Sequence, residues 1–312
     1  MLQEFVLKVY KELDRPDTNG ERIKSLFEEY GYNEVEVTKI REKDRGTDFV
    51  KIKIPGSDGK LQGGNARTLG VIGRLGGVGA RPEQIGYVSD GDGALAALSA
   101  GLKIIDMKNN GETLPGDIII ATHIDPKAPT IPHDPVPFMG SSVDMTVMNQ
   151  HEIDSEMDAI ITIDTTKGNR IANHKGICIS PTVKEGYILR VSESLLSILE
   201  NVTGKPAFVL PITTQDITPY GNEVYHINSI LQPCTATDKP VVGLAITSEV
   251  AVPGSGTGSS HLSDVEEAAR FSVEVAKTFG NKKSNFYDET EFGKLIKLYG
   301  SFKHLQTLGT NK

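Results

Sequence analysis

The first thirty residues carry apolar side chains at the spacing of two amphipathic helices. Apolar positions recur every three or four residues over 2–13 and again over 20–29, as in helices with one buried face. Asn19 stands directly before the second segment and is a residue type that caps helix N-termini. We therefore predict two helices joined by a short polar break.

Several later segments have the patterns of β-strands. Residues 34–40 and 48–54 alternate apolar and polar positions, which predicts a hairpin of two strands with one solvent-facing side. Shorter and continuously apolar runs are typical of buried strands. We assign such strands to 69–73, a short segment ending at Tyr87 and Val88, 117–121, 158–163, 207–211 and 241–246.

Four further segments have the apolar spacing of helices and are interspersed with these strands: 94–107, 192–202, 263–279 and 289–305. The third opens on a capping box formed by Ser263 and Glu266. Strands that alternate with helices predict a mainly parallel sheet covered on both faces. We expect one α/β domain over 1–312, with the N-terminal helices and hairpin in 1–60, the core in 66–280 and a C-terminal helix in 286–306.

The amino-acid composition limits which binding partners and which cellular compartment we expect for this protein. The 312 residues include 41 acidic and 33 basic side chains, a net charge of −8, without a Lys/Arg run and without Trp, which argues against nucleic-acid binding. No stretch approaches the ~18 apolar residues of a membrane span. Cys178 and Cys234 lack metal-site spacing, so we expect core thiols in a reducing compartment. We expect a cytoplasmic protein with a small-molecule substrate, and homo-oligomer formation stays open.

Glycines follow the predicted strand 69–73 and raise the question of a nucleotide site. A dinucleotide fingerprint needs a helix to begin directly on its glycines, so that the helix amides face the pyrophosphate. Here Pro82, Gln84 and Gly86 intervene before the next element. We therefore expect no nucleotide cofactor.

Polar side chains that suit a metal or acid–base site follow three of the predicted strands. Asp90 and Asp92 lie in the turn SDGDG before the helix 94–107, while His123 and Asp125 follow one strand and Asp164 another. The carboxyl ends of parallel strands meet at one edge of a sheet, where ligands of such folds bind. A glycine-rich turn whose aspartate caps the next helix is the alternative interpretation of SDGDG.

The same alternatives apply to the other candidates. His123 and Asp125 are two positions apart, so both can face a ligand, or Asp125 can cap the proline-rich loop after it while His123 binds backbone. His226 is a candidate for substrate contact. Lys167, with Arg170, either holds a substrate carboxylate or belongs to a solvated loop.

Longer stretches resemble the superfamily of zinc aminopeptidases and carboxypeptidases that use two co-catalytic metals. SDGDGALAALSAGLKIIDMKNNGETLPGDIIIATH is similar to its bridging-aspartate turn, long helix and next strand, MDAIITIDTT to its third-ligand strand, and SGTGSSHLSDVEEAARFSVEVAKTF to the segment with its final His ligand. HIDPKAPTIPHDPVPFMGSSVD and LPITTQDITPYGN resemble a prokaryotic family of unassigned function, domain-of-unknown-function family 1177.

The superfamily resemblance implies a three-layer αβα sandwich of the zinc-aminopeptidase type, without a separate lid or dimerisation domain. It makes Asp90 the metal-bridging carboxylate and Asp164 and His261 further ligands. Arg74 stands where the superfamily has its first metal-binding His, and His123 and Asp125 stand where it has a pair of Glu residues. A second register makes His123–Asp125 the first metal motif and Asp144 the bridging carboxylate, but the segment after Asp144 is short and polar.

We therefore predict a metal-dependent hydrolase acting on an amide or peptide-like small substrate. One or two divalent ions, Zn²⁺ first with Mn²⁺ or Co²⁺ as alternatives, would be held by Asp90, Asp164, His261 and His123, with His123 or Asp125 accepting the proton. Predicted substrate contacts are Arg74, Arg81, Asp92, Lys167 and His226.

Two other functions stay open at this stage. One is a binding protein on the same fold, whose chemistry is lost and whose Arg74, Arg81 and Lys167 recognise an acidic metabolite. The other is a metal-independent lyase or isomerase that uses His123 as its base.

Overall fold

The computed structural model describes residues 1–42, 45–74, 84–227 and 229–309. Helices and strands alternate along most of the chain, as the sequence predicts. The α-helices of the described residues are α1 (Leu2–Leu13), α2 (Gly20–Glu28), α3 (Asp92–Asn109), α4 (Met145–Glu152), α5 (Glu193–Thr203), α6 (Leu262–Phe279) and α7 (Glu289–Tyr299). The β-strands are β1 (Val35–Glu42), β2 (Arg45–Ile54), β3 (Leu69–Gly73), β4 (Ile118–Ile124), β5 (Thr130–Ile131), β6 (Phe138–Met139), β7 (Ala159–Thr166), β8 (Gly176–Ile179), β9 (Val183–Lys184), β10 (Tyr187–Ile188) and β11 (Val241–Thr247).

Nine of these strands form one mixed sheet in the order β1-β2-β4-β3-β7-β11-β9-β10, with β8 also paired to β11. Its centre, β4-β3-β7-β11, is parallel, while the β1–β2 hairpin and the strands beyond β11 pair antiparallel. The four central strands are almost continuously apolar because helices or loops cover both of their faces. The predicted α/β class and mainly parallel centre are confirmed.

The two faces of the sheet are covered differently. One face carries the larger core, in which apolar side chains of the central strands pack with α1, α2, α3, α5 and α6. The other face carries a smaller core around Ile72, Ile119 and Ile160, which reaches Leu210 and Leu231 in the irregular segment between α5 and β11. That face is therefore covered by α4, short 3-10 turns and loops.

The parallel centre brings the predicted site residues to one edge. The Arg74 amide, directly after β3, donates to the Ile163 carbonyl at 2.7 Å, which continues the ladder one step beyond the β3–β7 pairing. Arg74 thus lies beside Asp164 at the carboxyl end of the sheet, and His123 lies near the end of β4 on the other side of β3.

Some local predictions were wrong. Tyr87 and Val88 are not in a strand, and residues 207–211 form only an isolated bridge from Val209 to Ile179. Both are short apolar segments that pack without a full ladder of hydrogen bonds to a neighbouring strand. The helix predicted for 289–305 ends at Tyr299, before Gly300.

The start of α6 also differs from its prediction. It begins at Leu262 with His261 as its N-cap residue, so Ser263 lies inside the first turn and does not form the capping box. Elsewhere the caps agree with the sequence, since the Asn19 side chain accepts a hydrogen bond from the Arg22 amide at the start of α2.

Cys178 and Cys234 are both buried free thiols. Within the described ranges, no helix has the length and apolarity needed to cross a membrane.

Candidate functional site

The acidic turn forms a 3-10 turn, Ser89–Gly91, that leads directly into α3. Asp90 is buried, and its Oδ2 accepts a hydrogen bond from the Met139 amide at 2.8 Å. The Asp90 amide donates to the Gly254 carbonyl at 2.9 Å, and a Cβ at Gly254 would lie 1.9 Å from Asp90 Oδ1. Burial raises the pKa of Asp90 to about 6, although the Met139 amide and the charge of Lys167 act in the opposite direction.

Asp164, near the end of β7, is a second buried carboxylate at the same edge. It accepts hydrogen bonds from the Ser229 hydroxyl and from the Thr165 amide, both at 2.7 Å. Its pKa is raised to about 7, by burial first and also by the negative charge of Asp90, while Ser229, the Thr165 amide and Arg74 act in the opposite direction. Asp164 therefore lies within electrostatic range of Asp90.

Asp92 is a third buried carboxylate, in the first turn of α3. Its Oδ1 accepts a hydrogen bond from the Ser260 hydroxyl at 2.6 Å, and its Oδ2 has no hydrogen-bond partner among the described residues. Burial raises its pKa to about 7. Its charge in turn adds to the effect of burial in raising the pKa of Tyr87. We refer to Asp90, Asp92 and Asp164 as the acidic cluster.

Lys167, predicted to bind substrate, is half-buried beside this cluster. Its Nζ donates to the Ser259 carbonyl at 3.3 Å. Burial lowers its pKa, while the charges of Asp92, Asp90 and Asp264 act in the opposite direction. The ammonium group thus belongs to the acidic environment, and its role toward a substrate stays a prediction.

Arg74 belongs to a separate buried network. Its Nε lies 2.6 Å from Glu152 Oε2 as an ion pair, and its Nη2 donates to Asn149 Oδ1 at 2.5 Å. The other oxygen of Glu152 lies 2.6 Å from His123 Nδ1. All three charged or titratable side chains are at most 1% exposed. We refer to Arg74, Glu152 and His123 as the Arg74 network.

Glu152 holds this network together. Burial alone would raise its pKa, but the charge of Arg74 and the contact with His123 outweigh burial and hold the pKa below its ordinary value. The guanidinium of Arg74 is therefore neutralised within the protein, and no exposed part of it is left for the substrate contact predicted from the sequence. The proton-accepting role predicted for His123 is untested, and its ring is packed between Glu152 and Phe49.

Two other candidates, Asp125 and His226, have contacts within their own loops, and a third, His261, lies at a helix start. Both carboxylate oxygens of Asp125 accept backbone hydrogen bonds, from Lys127 and Ser142, which is the capping arrangement considered from the sequence. His226 contacts Thr218 through one ring nitrogen and the Val224 carbonyl through the other, and its ring lies against Tyr220. His261 is exposed at the start of α6.

Glu152, Ser229 and Tyr220 are site residues that sequence reasoning missed. Glu152 ends the short polar helix α4, and the sequence gives no signal that this glutamate is buried. Ser229 and Tyr220 lie in an irregular segment between α5 and β11. The sequence of this segment has no periodic pattern from which its packing near the end of β7 could be predicted. The pKa of Tyr220 is raised by burial first and then by the charge of Asp164.

The geometry of these residues bears on the predicted divalent metal. Within the residues that the structure describes, no group of three or more His, Cys, Asp or Glu side chains is arranged to hold a metal ion. Asp90 and Asp164 form a pair, and no described contact joins His261 or His123 to them. The residues as placed do not complete the predicted ligand set, so the set stays a prediction. Arg81 and the glycines of 75–83 lie outside the described residues.

The family assignment rests on the sequence over most of the chain. Residues 38–309 match the family model described as "Protein of unknown function (DUF1177)". The chain belongs to the DUF1177 family. This confirms the resemblance to domain-of-unknown-function family 1177 that two segments of the sequence indicated. No curated protein matches the sequence.

Solved structures share the fold at low sequence identity. A glutaminyl cyclase from an Acidobacteriales bacterium is 12% identical, with a TM-score of 0.50, and the match covers 90% of this chain and 94% of the cyclase. The LapA aminopeptidase of Legionella pneumophila is 14% identical, with a TM-score of 0.48, and the match covers 89% of this chain and 70% of LapA. The bottromycin maturation enzyme BotP, solved in complex with Mn, is 13% identical, with a TM-score of 0.49, and the match covers 88% of this chain and 70% of BotP. The DUF1177 chain therefore shares a mixed α/β fold with this glutaminyl cyclase, in agreement with the α/β class predicted from the sequence.

Proposed function

We propose that this DUF1177 protein is a hydrolase of amide or peptide-like small substrates, with Asp90 and Asp164 as its reacting pair. The observation that carries the proposal is the position of these two carboxylates. Both are buried, and the charge of Asp90 raises the pKa of Asp164. Asp164 lies near the carboxyl end of the parallel strand β7, and Asp90 lies in the 3-10 turn beside that end, where the Thr165 hydroxyl donates to the Ser89 carbonyl at 2.7 Å. This is the edge at which open α/β sheets bind ligands. Buried carboxylates with shifted pKa values cluster at functional sites.

The pair can supply both an acid and a base near neutral pH. Two close carboxylates ionise in coupled steps, and burial raises the pKa values to about 6 for Asp90 and about 7 for Asp164, so around neutrality the pair retains a proton. The ionised member takes a proton from water as the water oxygen bonds to the substrate carbonyl carbon. The protonated member then gives its proton to the amide nitrogen as the C–N bond breaks.

The surrounding residues position this pair. Ser229 and the Thr165 amide fix the orientation of Asp164, while Gly254 and the Met139 amide fix that of Asp90. A divalent ion would find two carboxylates and, among the described residues, no third protein ligand, so no step of the reaction is assigned to it.

The test uses isosteric variants of both aspartates. Wild type, Asp90→Asn and Asp164→Asn are assayed against a panel of N-acylated amino acids and dipeptides, with circular dichroism to verify folding. We expect each variant to lose at least 100-fold of the wild-type rate, because acid–base catalysis contributes about 10²–10⁴-fold. Unchanged rates in both variants, or no hydrolysis of any amide by wild type, would contradict the proposal.

Elemental analysis of the same three proteins, purified without a His tag, addresses the metal. An ion that is present in wild type and lost from both variants would be assigned to the Asp90–Asp164 pair. His261→Ala is the matched test of the third predicted ligand, and metal lost from this variant as well would support the complete predicted set.

The alternative of a binding protein for acidic metabolites has weaker support in the geometry. It relied on Arg74 as one of its cations, and Glu152 neutralises that side chain. Lys167 lies beside three carboxylates, which favours a cationic or neutral group near it over an anion.

A further inference from the structure

A second candidate site lies in a cavity of about 420 Å³ near the start of α6. Its lining comes from four separate segments: the loop before β8, the turn after α5, the end of β11 and the first turn of α6. The volume lies within the range of small-ligand sites. Its lining includes His174, Lys175, Lys205, Phe208, Glu249 and Asp264.

The first feature of this cavity is a flat aromatic surface. The rings of His174 and Phe208 stack with centroids 4.4 Å apart and an interplanar angle of 7°. Burial and the nearby charge of Lys205 lower the pKa of His174 below its ordinary value, so the imidazole is neutral at neutral pH. A neutral stacked pair of this kind presents a surface on which another planar ring packs favourably.

The second feature is that charges of both signs line the cavity without being paired to each other. Lys175 and Lys205 have no ion-pair partner among the described residues, and neither does Glu249. Asp264 is 8% exposed, and within the described residues its side chain accepts one hydrogen bond, from the hydroxyl of the neighbouring Ser263 at 3.2 Å. Two ammonium groups and two carboxylates are therefore available to a ligand that carries both charges.

We propose that this cavity binds a zwitterionic amino acid with an aromatic side chain. The ligand carboxylate pairs with Lys175 and Lys205, its ammonium pairs with Glu249 and Asp264, and its ring packs on the stacked His174 and Phe208. A ligand of one charge alone would leave the opposite pair of protein charges unsatisfied. The site is independent of the reaction proposed for Asp90 and Asp164, although the charge of Asp264 also acts on Lys167 beside that pair.

Isothermal titration calorimetry with phenylalanine tests the proposal, and three analogues each remove one part of the ligand. Phenylalaninamide lacks the carboxylate, N-acetylphenylalanine lacks the ammonium, and alanine lacks the ring. We expect phenylalanine to bind and each analogue to bind at least tenfold more weakly. Absence of phenylalanine binding, or equal binding of N-acetylphenylalanine, would overturn the assignment.

Variants locate the binding within the molecule. The double variant Lys175→Met/Lys205→Met should lose at least tenfold in affinity for phenylalanine, whereas Lys11→Met, an exposed lysine on α1, should bind as wild type does. Equal affinity of the double variant and wild type would overturn the proposal. Asp90→Asn should retain phenylalanine binding, so failure of the reaction proposed above and failure of this site are distinguishable.

Discussion

The Arg74 network and the acidic cluster lie at the same edge of the sheet, and both are buried, but their charges are arranged in opposite ways. In the Arg74 network, Glu152 lies between a guanidinium and an imidazole, and each charge has a partner within 2.6 Å. In the acidic cluster, the half-buried ammonium of Lys167 acts on Asp90 and Asp92, and the three carboxylates are otherwise held by hydroxyls and amides.

The pKa values express this difference. The pKa of Glu152 lies below its ordinary value despite burial, because Arg74 compensates its charge, whereas those of Asp90, Asp92 and Asp164 are raised to about 6 or 7. A compensated buried charge is a structural element, while uncompensated like charges cost stability and persist where they serve chemistry. The comparison therefore assigns structure to one region and reaction to the other.

Removal of Glu152 should have the largest effect on stability. Glu152→Ala leaves the Arg74 guanidinium buried without a counter-ion, so we expect a loss of about 3–5 kcal/mol in the free energy of unfolding, measured by urea denaturation. Glu274→Ala is the matched control, because it removes an exposed ion pair with Lys277 and should cost no more than about 1 kcal/mol. Equal losses in the two variants would remove the structural role assigned to the Arg74 network.

The acidic cluster should make stability fall as pH rises from about 4 to 7. Below pH 4, Asp164 is protonated in both the folded and the unfolded chain, so it has no effect. Between its ordinary pKa of 3.8 and its folded value of about 7, the unfolded chain releases the proton and the folded chain keeps it. Each pKa unit corresponds to about 1.4 kcal/mol, which predicts a loss of a few kcal/mol.

Asp164→Asn isolates this contribution. The variant should lose part of the negative slope of stability against pH and be more stable than wild type at pH 8, as measured by urea denaturation at several pH values. An identical slope in wild type and variant would show that Asp164 is ionised normally, and the distinction between the two regions would fail.

Gly254 offers a test of the close contact over Asp90. Gly254→Ala places a methyl group where Asp90 Oδ1 now lies 1.9 Å away, so the loop must shift, at a cost of about 1–3 kcal/mol. Gly258→Ala, in the same loop but with no heavy atom within 4 Å of its Cβ, is the control. We expect hydrolysis to fall in the first variant only; equal behaviour would mean that the loop does not position Asp90.

The smallest expected effect comes from Ser229, whose hydroxyl lowers the pKa of Asp164. Ser229→Ala removes that hydrogen bond, so the pKa of Asp164 should rise further, with a stability change of about 1 kcal/mol. NMR titration of the Asp164 carboxyl carbon measures the shift. Ser197→Ala, which removes an exposed hydroxyl bonded within α5, should leave the titration unchanged.

The sequence by itself determined the fold class and most of its elements. The helices α1, α2, α3 and α5 follow from the helical spacing of their apolar residues, and the strands of the parallel centre follow from short uninterrupted apolar runs. The sequence also placed Asp164 at the end of a parallel strand, and it lies near the end of β7, whereas Tyr87 and Val88 do not form the strand predicted before Asp90.

Only the tertiary structure decided how the charges are compensated. Glu152 is 78 residues from Arg74 in the chain, and Ser229 is 65 residues from Asp164, so no local pattern joins them. From its position in the sequence, Arg74 was predicted to bind substrate. In the structure α4 packs near the sheet edge, and its Glu152 forms an ion pair with Arg74. Whether a buried charge is compensated depends on long-range packing, and that packing separates the Arg74 network from the acidic cluster.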